Sequence, residues 1–139
     1  MDVRRLTDAI AVAPQISVDD VAQAVRLGFR TLINNRPDGE DPAQPSAREI
    51  EAAARAAGLE YHHLPVVSGA LGPRDAHAFA ALLARSPAPV LAFCRSGTRS
   101  TMLWALTQAG NGDAERVIAT AARAGYDLQG LRPVLERGI

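Results

Sequence analysis

Short apolar runs alternate with helix-length segments along this chain, and that alternation limits the fold more than any other feature. Extended pieces read at residues 3–6 and 10–13, around a polar Thr7-Asp8 turn, and then at 29–34, 59–67 and 89–93. Helical patterns fall between them. Ser17 and Asp20 resemble a capping box opening a helix whose Val18, Val21, Ala22 and Val25 share one face, with Gly28 ending it. Ser46 and Glu49 repeat the signature before the alanine-rich run EIEAAARAAG, and Gly58 is its C′ residue. Gly72-Pro73 suits the start of a helix that runs to Arg85, because proline is tolerated in a first turn. A further helix follows residues 94–100 and extends to Ala109, and two more occupy 113–124 and 128–136. Between Asn34 and Ser46, the stretch NRPDGEDPAQP carries three prolines and a glycine and reads as a loop. Strands alternating with helices predict βαβ crossovers: an α/β fold with a mainly parallel central sheet covered by helices on both faces. At 139 residues the chain is expected to be one domain, 1–139, able to bury its core without disulfide or metal.

Charge and cysteine content narrow the function. Fifteen basic residues balance fifteen acidic ones, which argues against a broad nucleic-acid surface while leaving room for a local cationic site. No apolar run approaches the ~20 residues that cross a bilayer, so no membrane partner is expected. The N-terminus lacks the apolar core of a secretory signal. Cys94 is the single cysteine, which excludes an internal disulfide and any multi-cysteine metal site. The expected compartment is the reducing cytoplasm, with no metal and no cofactor.

The chemistry is concentrated in Phe93-Cys94-Arg95-Ser96-Gly97-Thr98-Arg99-Ser100. A buried strand ends, the cysteine follows at once, and a loop of small and cationic residues feeds a helix. Ligands of open α/β sheets bind beyond the carboxyl ends of the strands, where Cys94 stands. The first N–H groups of a helix lack intrahelical partners, and a loop curled around the sulfur aims several of them inward. Gly97 permits the turn, Arg99 adds a permanent charge and a bidentate fork, and Ser96, Thr98 and Ser100 add hydroxyl donors. All of these favour thiolate over thiol. A lone cysteine at a strand end is usually an inert small hydrophobe, but an inert one needs none of these neighbours. Cys94 and Arg99 are therefore the candidate catalytic residues, with Arg95, Ser96, Gly97, Thr98 and Ser100 binding the anion. Arg95 either attracts anionic substrates or is a solvated surface charge.

The loop resembles two active-site loops. Cysteine-dependent phosphatases separate cysteine and arginine by five residues, and rhodanese-type sulfurtransferases by four; here the four residues Arg95 to Thr98 intervene. More widely, FRTLINNRPDGED, YHHLPVVSG and PAPVLAFCRSGTRS resemble landmarks of the phosphatase-like domain of β-lactamase-hydrolase-like proteins, across roughly residues 3–108. That resemblance implies a dual-specificity-phosphatase-like architecture and either sulfurtransferase or phosphatase activity. The spacing favours the first. A phosphoryl group needs room for three equatorial oxygens, and a ring one residue shorter loses an inward donor and suits a lone sulfur. Phe93 stands where the phosphatases usually have histidine, and Ser68 where they usually have an acidic aspartate; Asp75 is a remote substitute. The expected activity is a rhodanese-like transfer of sulfane sulfur. Cys94 would attack a small anionic donor such as thiosulfate, form a persulfide, and pass the sulfur to an external thiol or cyanide. Other sulfur-metabolism enzymes are expected partners. The alternatives are a phosphatase acting through a Cys94 phosphocysteine and a non-catalytic anion-binding module.

Asn35 and Arg36 end a strand expected beside that of Cys94, so they either line the same crevice or cap the loop. Ser68 joins them as a residue expected at the margin of the site. Asp38, Glu40 and Asp41 read as a solvated loop, Asp38 being the one weighed as a remote acid for phosphate chemistry. His62 and His63 are adjacent on a strand, face opposite sides and cannot chelate one metal together. His77 has no assigned role, and Phe79 and Trp104 read as core.

Overall fold

The protein is described from Met1 to Ile139 by a computed structural model. Its strands are β1 (Arg4–Arg5), β2 (Ile10–Ala13), β3 (Thr31–Asn34), β4 (Glu60–His63) and β5 (Val90–Phe93). Its helices are α1 (Asp20–Arg26), α2 (Ala47–Ala56), α3 (Pro73–Arg85), α4 (Thr98–Thr107), α5 (Ala114–Arg123) and α6 (Arg132–Arg137), with a 3₁₀ turn at Gln129–Leu131 before the last. The five strands form one sheet in the order β1-β2-β5-β3-β4, parallel except for β1 against β2. No helix is long and apolar enough to cross a membrane.

Side-chain alternation along the strands divides the core into two layers, because successive residues point to opposite faces. Ala11, Ala13, Leu32, Leu91 and Phe93 pack with Val21 and Ala24 of α1 and with Ile50 and Ala54 of α2. Ile10, Val12, Ile33, Val90 and Ala92 pack on the other face with Phe79 of α3, Leu103 and Trp104 of α4, and the helices that follow. In α2 the sequence signature is realised in full: Ser46 Oγ accepts from Glu49 N at 3.1 Å, and Glu49 Oε1 accepts from Ser46 N at 3.2 Å. Ser17 and Asp20 make the same reciprocal pair, but the helix begins only at Asp20. Val18 thus lies outside α1, and both it and Val25 are exposed, so the buried face is Val21 and Ala24 and not the one expected from spacing.

The chain leaves neighbouring strands β3 and β5 toward opposite faces, since α2 packs in one layer and α4 in the other. A crevice must open where the two connections diverge. Ala13, Asn34 and Phe93 sit at one level of the sheet, so the next residues of β2, β3 and β5 emerge onto the same edge. That edge carries the site.

Candidate active site

Cys94 follows the last residue of the central strand and is fully buried. The loop after it is anchored at its start by Gln15 N, which donates to Arg95 O at 3.1 Å. It then turns back, and Gly97 N donates to Cys94 Sγ at 3.1 Å. Gly97 has φ of 91°, a left-handed conformation that side-chain-bearing residues rarely adopt, and it is the N-cap of α4. Its carbonyl accepts from Thr101 N at 3.0 Å and from Thr101 Oγ1 at 2.7 Å. The helix begins at Thr98, earlier than the sequence pattern suggests, so Arg99 and Ser100 belong to its first turn and not to the loop.

That placement fixes where Arg99 points. Both of its terminal nitrogens donate to Glu40, at 2.8 Å each, and Nη1 also donates to Val66 O at 2.9 Å. Arg36 Nε donates to Glu40 Oε1 at 2.9 Å, while its Nη1 reaches Gln15 Oε1 at 3.1 Å. One carboxylate thus holds two buried guanidinium groups. The hydrogen bonds from Arg99 lower the pKa of Glu40 most, partial burial opposes them, and Arg36 adds to the lowering; the result is about 2. Arg99 is pushed up in turn, first by Glu40, with Cys94 contributing and burial opposing. A cavity of about 340 Å³ opens over this group, lined by Glu40, Ser68, Arg95, Ser96, Thr98 and Arg99, with Leu71 and Met102 on its apolar side.

The structure brings most of the candidate residues together, in different capacities. Arg95, Ser96 and Thr98 are exposed at the cavity, with Ser96 Oγ donating to Thr98 Oγ1 at 3.0 Å. Ser100 is buried and donates to Asn35 Oδ1 at 2.8 Å, while Asn35 Nδ2 donates to Leu64 O at 3.0 Å. Asn35 therefore braces the first turn of α4 against the loop after β4. Ser68 lines the cavity but brings no acid. Asp38 accepts from Ala47 N at 2.7 Å at the start of α2, and Asp75 accepts from Gly72 N at 2.9 Å at the start of α3, so both are committed to helix ends. His62 pairs with Glu60 at 2.8 Å, and His63 Nε2 lies 2.9 Å from Arg36 O, on separate partners. Glu40 is exposed, as the reading of a solvated loop expects, but that reading missed that its carboxylate pairs with Arg99 and Arg36. Its signal lay in the arginines: two guanidinium groups converging on one crevice require a counter-charge, and Glu40, four residues beyond Arg36, is within reach.

Fold and site together define a cysteine-phosphatase-like α/β domain, with the nucleophile between a central parallel strand and a helix N-terminus. The chain belongs to the family of the phosphatase-like domain of beta-lactamase hydrolase-like proteins, which it matches over residues 2–111. It is 38% identical over 130 residues to a beta-lactamase hydrolase-like protein of Xylella fastidiosa (strain Temecula1), covering 92% of this chain and 30% of that protein. The chain spans about a third of the length of the curated relatives it matches. A crystal structure from Neisseria meningitidis z2491, of a protein provisionally described as a phosphatase, has 34% identity and a TM-score of 0.88, covering 98% of this chain and 97% of that one. The core catalytic domain of the PP-IP phosphatase SIW14 from S. cerevisiae shares the fold at 12% identity, with a TM-score of 0.73 over 100% of this chain and 86% of that one.

These findings overturn the sulfurtransferase expectation and the Cys94 persulfide that went with it. The family is phosphatase-like, and the Neisseria structure at 34% identity is of a protein provisionally described as a phosphatase. The spacing argument failed for two physical reasons. It counted the ring of the loop alone, whereas positive charge at the cavity also comes from Arg99 on α4, with Arg36 on the loop after β3 held on the same Glu40 carboxylate. It also took the missing aspartate at Ser68 to mean a missing acid, while a carboxylate reaches the cavity from Glu40.

Proposed function

We propose that this domain is a cysteine-dependent phosphatase that cleaves phosphate monoesters through a phosphorylated Cys94. One observation carries the reading: Cys94 stands at the end of the central strand with the Gly97 N–H at 3.1 Å from its sulfur, and Arg99, in the first turn of the helix that follows, lines the adjoining cavity with its fork held on Glu40. The Cys94 thiolate attacks phosphorus, the S–P bond forms, and the ester P–O bond breaks with its electron pair passing to the leaving oxygen. Arg99 and the loop amides hold the equatorial oxygens, where charge accumulates. Water then attacks the phosphocysteine, the P–S bond breaks, inorganic phosphate leaves, and the thiolate is restored.

The first step needs a proton for the leaving oxygen, and the second needs a group to take one from water. Glu40 is the carboxylate at the cavity and serves both. In the free protein it is held ionised by Arg99 and Arg36. A bound phosphoryl group takes the fork of Arg99. Glu40 then keeps Arg36 alone, its pKa rises toward the ordinary carboxylate range, and it can carry the proton.

The test is hydrolysis of p-nitrophenyl phosphate by the wild type and by Cys94→Ser, with acid-quenched samples examined by intact mass. Turnover that disappears in Cys94→Ser, with a phosphoryl group trapped on the wild-type protein, is the expected result. Tungstate binding without any hydrolysis would identify a non-catalytic anion-binding module instead and remove the proposal.

A further inference from the structure

The peptide unit joining Ser96 to Gly97 is engaged at both ends. Its N–H donates to Cys94 Sγ at 3.1 Å, and its carbonyl accepts from the Tyr126 hydroxyl at 2.9 Å. In a trans peptide the N–H and C=O point in opposite directions. Whatever holds the carbonyl outward therefore also holds the N–H inward on the sulfur. Tyr126 is well placed for this. It is buried, it follows α5, and its own N–H closes that helix on Ala121 O at 2.9 Å. Its hydroxyl occupies the space that a side chain on Gly97 would fill. Arg4 lies over its ring at 5.1 Å and donates to Ala124 O at 3.0 Å, tying the turn to the edge of the sheet. Tyr126 also lies beyond residues 2–111, the part of the chain that matches the family.

We propose that Tyr126 is a positioning residue for the nucleophile: its hydroxyl pins the Ser96 carbonyl outward and so fixes the Gly97 N–H on Cys94. The three groups form a relay in which O–H donates to C=O and N–H donates to sulfur, and each bond polarises the next. Without the hydroxyl, the peptide preceding a glycine is free to rotate. A carbonyl turned inward would then set a lone pair against the thiolate in place of a donor. The C-terminal helices thus reach the active site through one hydrogen bond, although none of their residues lines the catalytic cavity.

The experiment compares the wild type with Tyr126→Phe, which keeps the ring and its packing and removes only the hydroxyl. The thiolate of Cys94 is followed by its ultraviolet absorbance against pH, using Cys94→Ser in each background as the blank. At the pH where the wild-type thiol is half ionised, the thiolate-to-thiol ratio of Tyr126→Phe should be lower by about 3- to 10-fold, the worth of one hydrogen bond. By amide hydrogen exchange, Gly97 N–H should exchange faster. Leu135→Ala, which loosens the same helices away from the loop, should lower the melting temperature and leave the ratio unchanged. An unchanged ratio in Tyr126→Phe overturns the proposal, as does an equal drop in Leu135→Ala. The turnover arm rests on the phosphatase reading: kcat should fall more than KM changes. The absorbance arm needs no substrate, so it decides the role of Tyr126 even if the wild type hydrolyses no phosphate ester.

Discussion

Glu40 is the carboxylate at the cavity and holds both Arg99 and Arg36. If it protonates the leaving oxygen, its importance must grow as the leaving group becomes more basic. Glu40→Gln is expected to cost about 10²-fold or more in kcat/KM on alkyl phosphates and far less on p-nitrophenyl phosphate, whose phenolate leaves without help. A uniform loss across a series of leaving groups would show that Glu40 only holds Arg99. The same residue makes a prediction about stability. Its pKa is about 2 in the folded protein against an ordinary 4.5, so the folded state favours its ionised form. The stabilisation is complete above about pH 4.5, shrinks as pH falls, and is gone below about 2. Thermal melts should show the wild type above Glu40→Gln at neutral pH, with the gap closing between those two values. A gap independent of pH would mean that the carboxylate is not held by charge.

At the scale of elements, α4 and α2 differ in how much of them is written locally. The N-terminus of α2 is encoded in four consecutive residues, and both reciprocal bonds of Ser46 and Glu49 form as the spacing predicts. Ser46→Ala should cost about 1 kcal/mol in urea unfolding and leave turnover unchanged, because neither Ser46 nor Glu49 lines the cavity. The start of α4 has no such side-chain cap. A left-handed glycine, a threonine bonding back to its carbonyl and a sulfur accepting its N–H take that place. The sequence pattern marks Gly97 as a turn, but the register of the first helical turn depends on the buried pair Ser100 and Asn35, which are 65 residues apart in the chain. For that reason the expected loop of residues 94–100 was three residues too long at its C-terminal end.

At the scale of the whole molecule, the part that matches the family is not the whole folding unit. Of the nineteen residues in the larger core layer, seven lie beyond residue 111: Ala114, Val117, Ile118, Ala121, Tyr126, Leu128 and Leu135. A chain ending at residue 111 should expose the face of α4 and fail to fold cooperatively, as judged by the loss of a sharp thermal transition. Within the full chain, Leu135→Ala should cost about 2–5 kcal/mol, the usual range for a leucine removed from a packed core. A cooperative melt from the shortened chain would show that α5 and α6 are accessory.

The order of strands and helices, the two apolar faces of the sheet and the cysteine loop at the end of β5 were all legible in the chain itself. Each depends on periodicity or capping within a few consecutive residues, where spacing alone sets geometry. Closure of the fold decided the order of the strands within the sheet, the capture of Arg99 by Glu40 59 residues away, and the hydroxyl of Tyr126 behind the loop 30 residues away. Such pairings carry no periodic trace, because they form between side chains whose separation is set by how the layers pack and not by how the chain is spelled.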